Sequence, residues 1–258
     1  MKIRSIACVF ALLMIVLTVR VSYGREIVEQ NMKRGLMYAV QGRFSEARVV
    51  FLKLLEIYPL YGPAQETLEV IDEAVNQKIE SDAAVHFFRG AAYGNDGLRN
   101  EAIGEYSKAI ALHPTFTMAY NNRGFHFMSK GYLHLAISDY SKAIKITPRS
   151  AVIYLNRGVA YARLGELDQA IGEYSKAIEI TPGMATAYLN RGVAYARKGQ
   201  LDKAIFDYTK AIGITPSFAV AYYNRGTAYV KKDQFDEAIA DFDKAMEMKS
   251  ASTPTYVH

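Results

Sequence analysis

Cysteine is almost missing from this chain: Cys8 is the only one in 258 residues. An internal disulfide is therefore excluded, and so is any site built on paired thiolates. Metal ligands are equally thin. The five histidines are scattered: His126 and His134 fall on different helices of one expected hairpin, His86 takes an aromatic position, His113 precedes a proline and His258 is terminal. No zinc spacing, zincin motif, nucleophile elbow or phosphate loop is present, which leaves no candidate for a catalytic residue, a metal ligand or a cofactor site. Long apolar runs are absent too. The longest, Ile6 to Val19, has 14 residues, whereas a spanning helix needs about 20.

Charge of one sign is also lacking. The net charge is +5, of which Lys2, Arg4 and Arg20 account for three. A chain left at +2 without its first 24 residues has no basic excess of the kind a nucleic-acid binder carries.

Residues 1–24 stand apart. Lys2 and Arg4 precede the apolar run, and Ser22 and Gly24 supply small residues for cleavage after Gly24. This is the pattern of a secretory signal peptide; the alternative is an uncleaved N-terminal membrane anchor. In both cases the basic end stays inside and the remainder is expected outside the cytoplasmic membrane, periplasmic, extracellular or anchored on the outer side. Cys8, mid-run and without a lipobox, reads as one more apolar residue.

What the sequence has in abundance is repetition. Asn-Arg-Gly stands at 122–124, 156–158, 190–192 and 224–226, and proline at 114, 148, 182 and 216. The period is 34 residues, and a fixed period decides the architecture. Counted from Ala83, repeats cover 83–116, 117–150, 151–184, 185–218 and 219–252. Position 8 is always glycine (Gly90, Gly124, Gly158, Gly192, Gly226) and positions 20 and 27 always alanine. Position 24 is aromatic (Tyr106, Tyr140, Tyr174, Tyr208, Phe242), as is position 11.

Each unit reads as a helical hairpin. Ile153, Tyr154, Ala160 and Tyr161 share one helical face, and Gly165 ends that helix by accepting a left-handed backbone. A second helix is expected from Leu167 to Ile180, stopped by Thr181-Pro182. Glycine and alanine sit where helices cross. A divergent copy at 28–61 carries Gly35, Ala47, Phe51 and Pro59 in register. A single helix is expected within 62–82, with Leu68, Ile71, Val75 and Ile79 on one face. Residues 253–258 read as a flexible tail.

These spacings resemble the tetratricopeptide repeat, which has an aromatic at position 4, glycine at 8, tyrosine at 11, alanine at 20 and 27 and proline at 32. The resemblance implies an all-α fold, a right-handed superhelical solenoid of antiparallel helix pairs. The chain departs from the pattern at position 7, usually leucine, where it has Arg89, Arg123, Arg157, Arg191 and Arg225. The last repeat lacks its proline, with Ser250 in its place.

Position 23 is always acidic: Glu105, Asp139, Glu173, Asp207 and Asp241. A guanidinium meets a carboxylate bidentately, so the arginines are expected to pair with these acids in an internal ladder. The alternatives are solvated arginines or five arginines gripping an acidic ligand.

In the family resembled, the first helices line a concave groove through positions 2, 5, 9, 12 and 13. Carried over, these give Phe87, Asn121, Leu155, Leu189 and Tyr223 at position 5, and Ala91, Phe125, Val159, Val193 and Thr227 at position 9. Met118 and Val152 are added at position 2, and Arg163, Arg197 and Lys231 at position 13. Members that clamp a chaperone's terminal carboxylate use lysine and asparagine here, and most of these residues are apolar instead. The reading is a non-enzymatic scaffold whose groove takes a helix or peptide of a partner protein, with no nucleic acid and a membrane reached only through the N-terminal segment. An alternative is a structural protein that oligomerises through its last repeat, where Ile239, Phe242, Met246 and Met248 leave apolar surface without a capping helix.

Overall fold

The computed structural model describes residues 26–59 and 61–251. The 1–24 leader and the 253–258 tail lie outside the described residues. All regular structure among the described residues is helical. The helices are α1 (26–40), α2 (Phe44–Ile57), α3 (Gly62–Val75), α4 (Ser81–Asn95), α5 (Arg99–Leu112), α6 (Thr117–Ser129), α7 (Leu133–Ile146), α8 (Ala151–Leu164), α9 (Leu167–Ile180), α10 (Ala185–Arg197), α11 (Leu201–Ile214), α12 (Ala219–Val230) and α13 (Phe235–Ala251). They form two compact units, one ending at Ala119 and the other beginning at Tyr120.

In the second unit each helix packs on the next, α7 on α8, α8 on α9, and so on to α13. The turns inside its hairpins are made by Gly131, Gly165 and Gly199, with φ of 83°, 87° and 73°. The last repeat puts Asp233 there at φ 59°, a conformation an L-residue enters at a cost.

What sets the helix spacing is glycine at position 8 facing the aromatic ring at position 24. A Cβ on Gly158 would stand 2.6 Å from Tyr174 Cε1, and one on Gly192 would stand 2.7 Å from Tyr208 Cε1. The missing side chain is the slot that the ring fills. Tyr140, Tyr174 and Tyr208 are in consequence almost wholly buried, as are the alanines at positions 20 and 27 of these repeats. Each buried ring contributes roughly 2 kcal/mol or more.

The first unit uses the same device. A Cβ on Gly35 would stand 2.6 Å from the Phe51 ring, and one on Gly90 would stand 2.9 Å from the Tyr106 ring. Between those two hairpins lies α3, which packs on α2 and α4. It differs from the single helix expected through 62–82. The helix stops at Val75, Gln77 adopts φ 57°, and Ile79 is buried in the connection to α4. Its buried face is Ala64, Val70, Ile71 and Ala74, leaving Val75 exposed.

Candidate functional site

Two polar and apolar systems run through the second unit at the repeat period. The first is internal. Arg123 Nε and Nη2 donate to the two carboxylate oxygens of Asp139, both at 2.8 Å. Arg157 does the same to Glu173 at 2.9 and 2.8 Å, Arg191 to Asp207 at 2.8 Å each, and Arg225 to Asp241 at 2.7 Å each. All eight groups are largely buried. The bond to Asp207 holds the Arg191 guanidinium above its ordinary range against the opposing effect of burial, and Asp241 does so for Arg225.

The third guanidinium nitrogen reaches the preceding repeat. Arg157 and Arg191 donate Nη1 to the hydroxyls of Ser141 and Ser175, and Arg225 donates to Thr209, each at 3.0 Å. Ser141 and Ser175 donate in turn to the carbonyls of Ile137 and Ile171, so their lone pairs remain for the arginine. Each guanidinium also lies over the tyrosine at position 4, from 5.6 Å for Arg225 on Tyr222 to 5.8 Å for Arg157 on Tyr154. The ladder thus fastens these hairpins internally, and Arg157, Arg191 and Arg225 fasten theirs to the preceding one. Position 25, a hydroxyl in four repeats of five, was the unread signal for these bonds.

The fifth expected rung, Arg89 with Glu105, is not formed. Position 4 of that repeat is His86, whose Nδ1 lies 2.7 Å from Glu105 Oε2, and Lys108 donates to the other oxygen at 2.6 Å. An imidazole reaches the carboxylate where a phenol ring stacks under the arginine, so Arg89 is left on the exposed surface. Burial pushes the Glu105 carboxyl up, but its bonds to His86 and Lys108 together hold it below the ordinary range.

The second system is the face of the first helices. In the second unit α8 touches α10 and α10 touches α12, while contact between second helices is sparser. The first helices therefore lie on the inside of the curve within this unit. Their expected groove residues divide into three groups. Phe125, Val152 and Tyr223 stand out by 50%, 49% and 59%, joined by Val220 at 54%. Leu155, Val159, Leu189 and Val193 are half-buried, packed on Tyr174 or Tyr208 and the neighbouring alanines, and form a floor. Asn121 accepts from Asn156 Nδ2 at 3.0 Å, tying α6 to α8. Thr227 donates to the Tyr223 carbonyl, and Lys231 is exposed.

Three further expected members, Phe87, Ala91 and Met118, fall in the first unit. Phe87 is buried among Phe88, Tyr106 and Phe116, with ring centroids 5.0 to 5.6 Å away. Extra aromatics at 88 and 116 close over it, so its groove assignment is corrected to core. Ala91 and Met118 are half-buried.

Between α8 and α10 the floor opens into a cavity of about 280 Å³ lined by Val159, Ala162, Arg163, Tyr174, Asn190, Val193, Ala194 and Arg197. Among the described residues no group of histidine, cysteine, aspartate or glutamate could hold a metal ion, and no helix is long and apolar enough to cross a membrane.

The family profile for the TPR repeat matches 126–165, 160–199 and 194–233, and the tetratricopeptide repeat profile matches 219–250. One crystal structure of MamA is 32% identical, with a TM-score of 0.59 over 63% of this chain and 95% of that one. A second structure of MamA protein is 30% identical, with a TM-score of 0.62 over 70% of this chain and all of that one.

The chain belongs to the tetratricopeptide repeat family.

As a tetratricopeptide repeat protein it also shares its fold with YrrB, described as a TPR protein with an unusual peptide-binding site. That structure is 21% identical, with a TM-score of 0.55 over 71% of this chain and 93% of that one. Curated proteins give no match. Against the family's spacing, this tetratricopeptide repeat chain is distinguished by its position-7 arginines. Those of the second unit are part of the packing, whereas Arg163 and Arg197 at position 13 line the cavity in the floor.

Proposed function

We propose that this chain is a non-enzymatic scaffold that holds a segment of a partner protein on the first-helix face of its second unit. The observation that carries the reading is the row of half-exposed apolar side chains, Phe125, Val152, Val220 and Tyr223, above a floor of Leu155, Val159, Leu189 and Val193. Exposed apolar surface in a row marks an interaction site, and a groove between helices suits a helix or an extended peptide. Replacing Phe125, Val152 and Val220 together by serine tests this without touching the floor. A partner captured from native cells by the full chain is expected to be lost by the variant while its thermal midpoint stays within about 2 °C, in keeping with surface changes. Equal capture by both proteins contradicts the reading.

We further propose that the chain acts outside the cytoplasmic membrane, on the strength of the leader pattern at 1–24. Sequencing the N-terminus of the protein from its native cells is expected to begin at Arg25. A chain that keeps Met1 and remains in the cytosol contradicts export.

A second reading is self-assembly through the last repeat. Ile239 and Met246 are exposed by 58% and 61%, whereas the isoleucines at the same positions in earlier repeats, such as Ile137 and Ile144, pack on the next repeat's core. Solution mass measured against concentration tests it: growth supports assembly, and a constant monomer mass contradicts it.

A further inference from the structure

The groove of the second unit has a charge pattern that names its occupant more narrowly. Its four first helices, α6, α8, α10 and α12, contain no aspartate or glutamate at all. Their position-7 arginines are neutralised by the ladder. Arg163 and Arg197 are not: among the described residues neither meets a carboxylate. Arg163 Nη1 instead donates to the Met128 carbonyl at 2.7 Å, and Arg197 Nη1 to the Ala162 carbonyl at 2.8 Å. Each guanidinium is thereby fixed at the C-terminal end of the preceding first helix, where a cation is favoured.

This anchoring restricts the side chain before any ligand arrives and leaves the rest of its donor fork for a planar anion. Lys198 and Lys232, close by, are already paired with Asp168 and Asp202. Arg163, Arg197 and the exposed Lys231 form a row of uncompensated cations, one per repeat, along one edge of the apolar floor. Arg163 and Arg197 both line the 280 Å³ cavity, with Asn190 beside them.

Resting on the groove reading above, we propose that the partner segment is acidic as well as apolar: an extended stretch whose carboxylates fall three residues apart and meet Arg163 and Arg197. Adjacent packed helices lie about 8–10 Å apart, and in a chain extended as polyproline II, with three residues per turn, residues i and i+3 share one face about 9 Å apart. Apolar side chains between the acids lie on Val159, Val193 and Leu155. A nucleic acid is the less suitable polyanion, because this floor is aliphatic and offers no row of aromatic faces for stacked bases.

The test uses the full chain and four fluorescein-labelled probes read by anisotropy at low salt. They are a 12-residue peptide repeating Glu-Leu-Gln, the same peptide with every Glu replaced by Gln, the same with every Glu replaced by Lys, and a 12-nucleotide single-stranded DNA. The Glu probe is expected to bind about tenfold more tightly than the Gln probe, the size of two exposed charge pairs, and to weaken with salt. The R163E/R197E double variant is expected to keep its helical circular dichroism, lose the Glu probe and gain the Lys probe.

Equal binding of the Glu and Gln probes overturns the charge inference and leaves the groove reading standing. Binding of no peptide overturns both. Tighter binding of the DNA, or a Glu probe indifferent to R163E/R197E, overturns the acidic-segment assignment.

Discussion

At the scale of single residues, the position-7 arginine is a packing element that happens to be charged. Arg157 has a bidentate carboxylate, a hydroxyl from the previous repeat and a tyrosine face, with little solvent. Removing it strands Glu173 in a site where its charge is poorly hydrated. Arg157→Ala is therefore expected to cost about 3 kcal/mol in urea unfolding, at the low end for a buried pair broken on one side. Arg89→Ala, which loses only an exposed side chain, is expected to cost less than about 0.5 kcal/mol. Equal effects would contradict the difference between the rungs.

Much of this was visible in the sequence, since arginine and an acid recur sixteen residues apart in every repeat. What the residue letters concealed was the competition at Glu105. That outcome depends on whether position 4 carries a phenol, which lies under the guanidinium, or the His86 imidazole, which takes the carboxylate.

At the scale of the element, helix limits follow from glycine, proline and the size of one ring. The expected Leu167–Ile180 helix is α9 as observed, because Gly165 opens the turn before it and Thr181-Pro182 blocks the turn after it. The α3 limit was less legible. Val75 and Ile79 continue an apolar spacing, but the backbone reverses at Gln77, which no glycine or proline announces.

Glycine offers a direct comparison. Gly158→Ala gains helix propensity but drives a Cβ to 2.6 Å from the Tyr174 ring, a ring with no free space to retreat into. Gly172→Ala, on the exposed side of α9 with nothing within 4 Å, gains the propensity alone, up to about 1 kcal/mol. The thermal midpoint is expected to fall for Gly158→Ala and rise for Gly172→Ala. Asp233→Gly is expected to raise it as well, by removing the left-handed strain at φ 59°.

At the scale of the whole molecule, stability rests on a column of buried tyrosines that must stay neutral. Burial pushes the hydroxyls of Tyr140 and Tyr174 well above the ordinary value of 10.0, and that of Tyr208 up to about 12. A raised folded-state value means that the unfolded chain releases its proton first. Stability is then fully present below about pH 10 and falls as the pH climbs toward 12. The thermal midpoint is expected to hold up to about pH 10 and drop above it, and Tyr208→Phe is expected to lessen the drop. A midpoint flat to pH 12 would contradict this.

The groove was only partly legible at this scale. Periodicity located its positions, but which side chains form a floor and which stand clear depends on the neighbouring repeat. Leu155 and Leu189 are pressed against the next hairpin, Phe87 is closed over by local aromatics, and Val220 went unread. The most direct measurement is photo-crosslinking in native cells from a benzoylphenylalanine placed at Phe125 or Val152 on the first-helix face, and from one placed at Lys176 on a second helix. A crosslink to one segment of one partner is expected from Phe125 and Val152 and none from Lys176; crosslinks from Lys176 alone would contradict binding on the first-helix face.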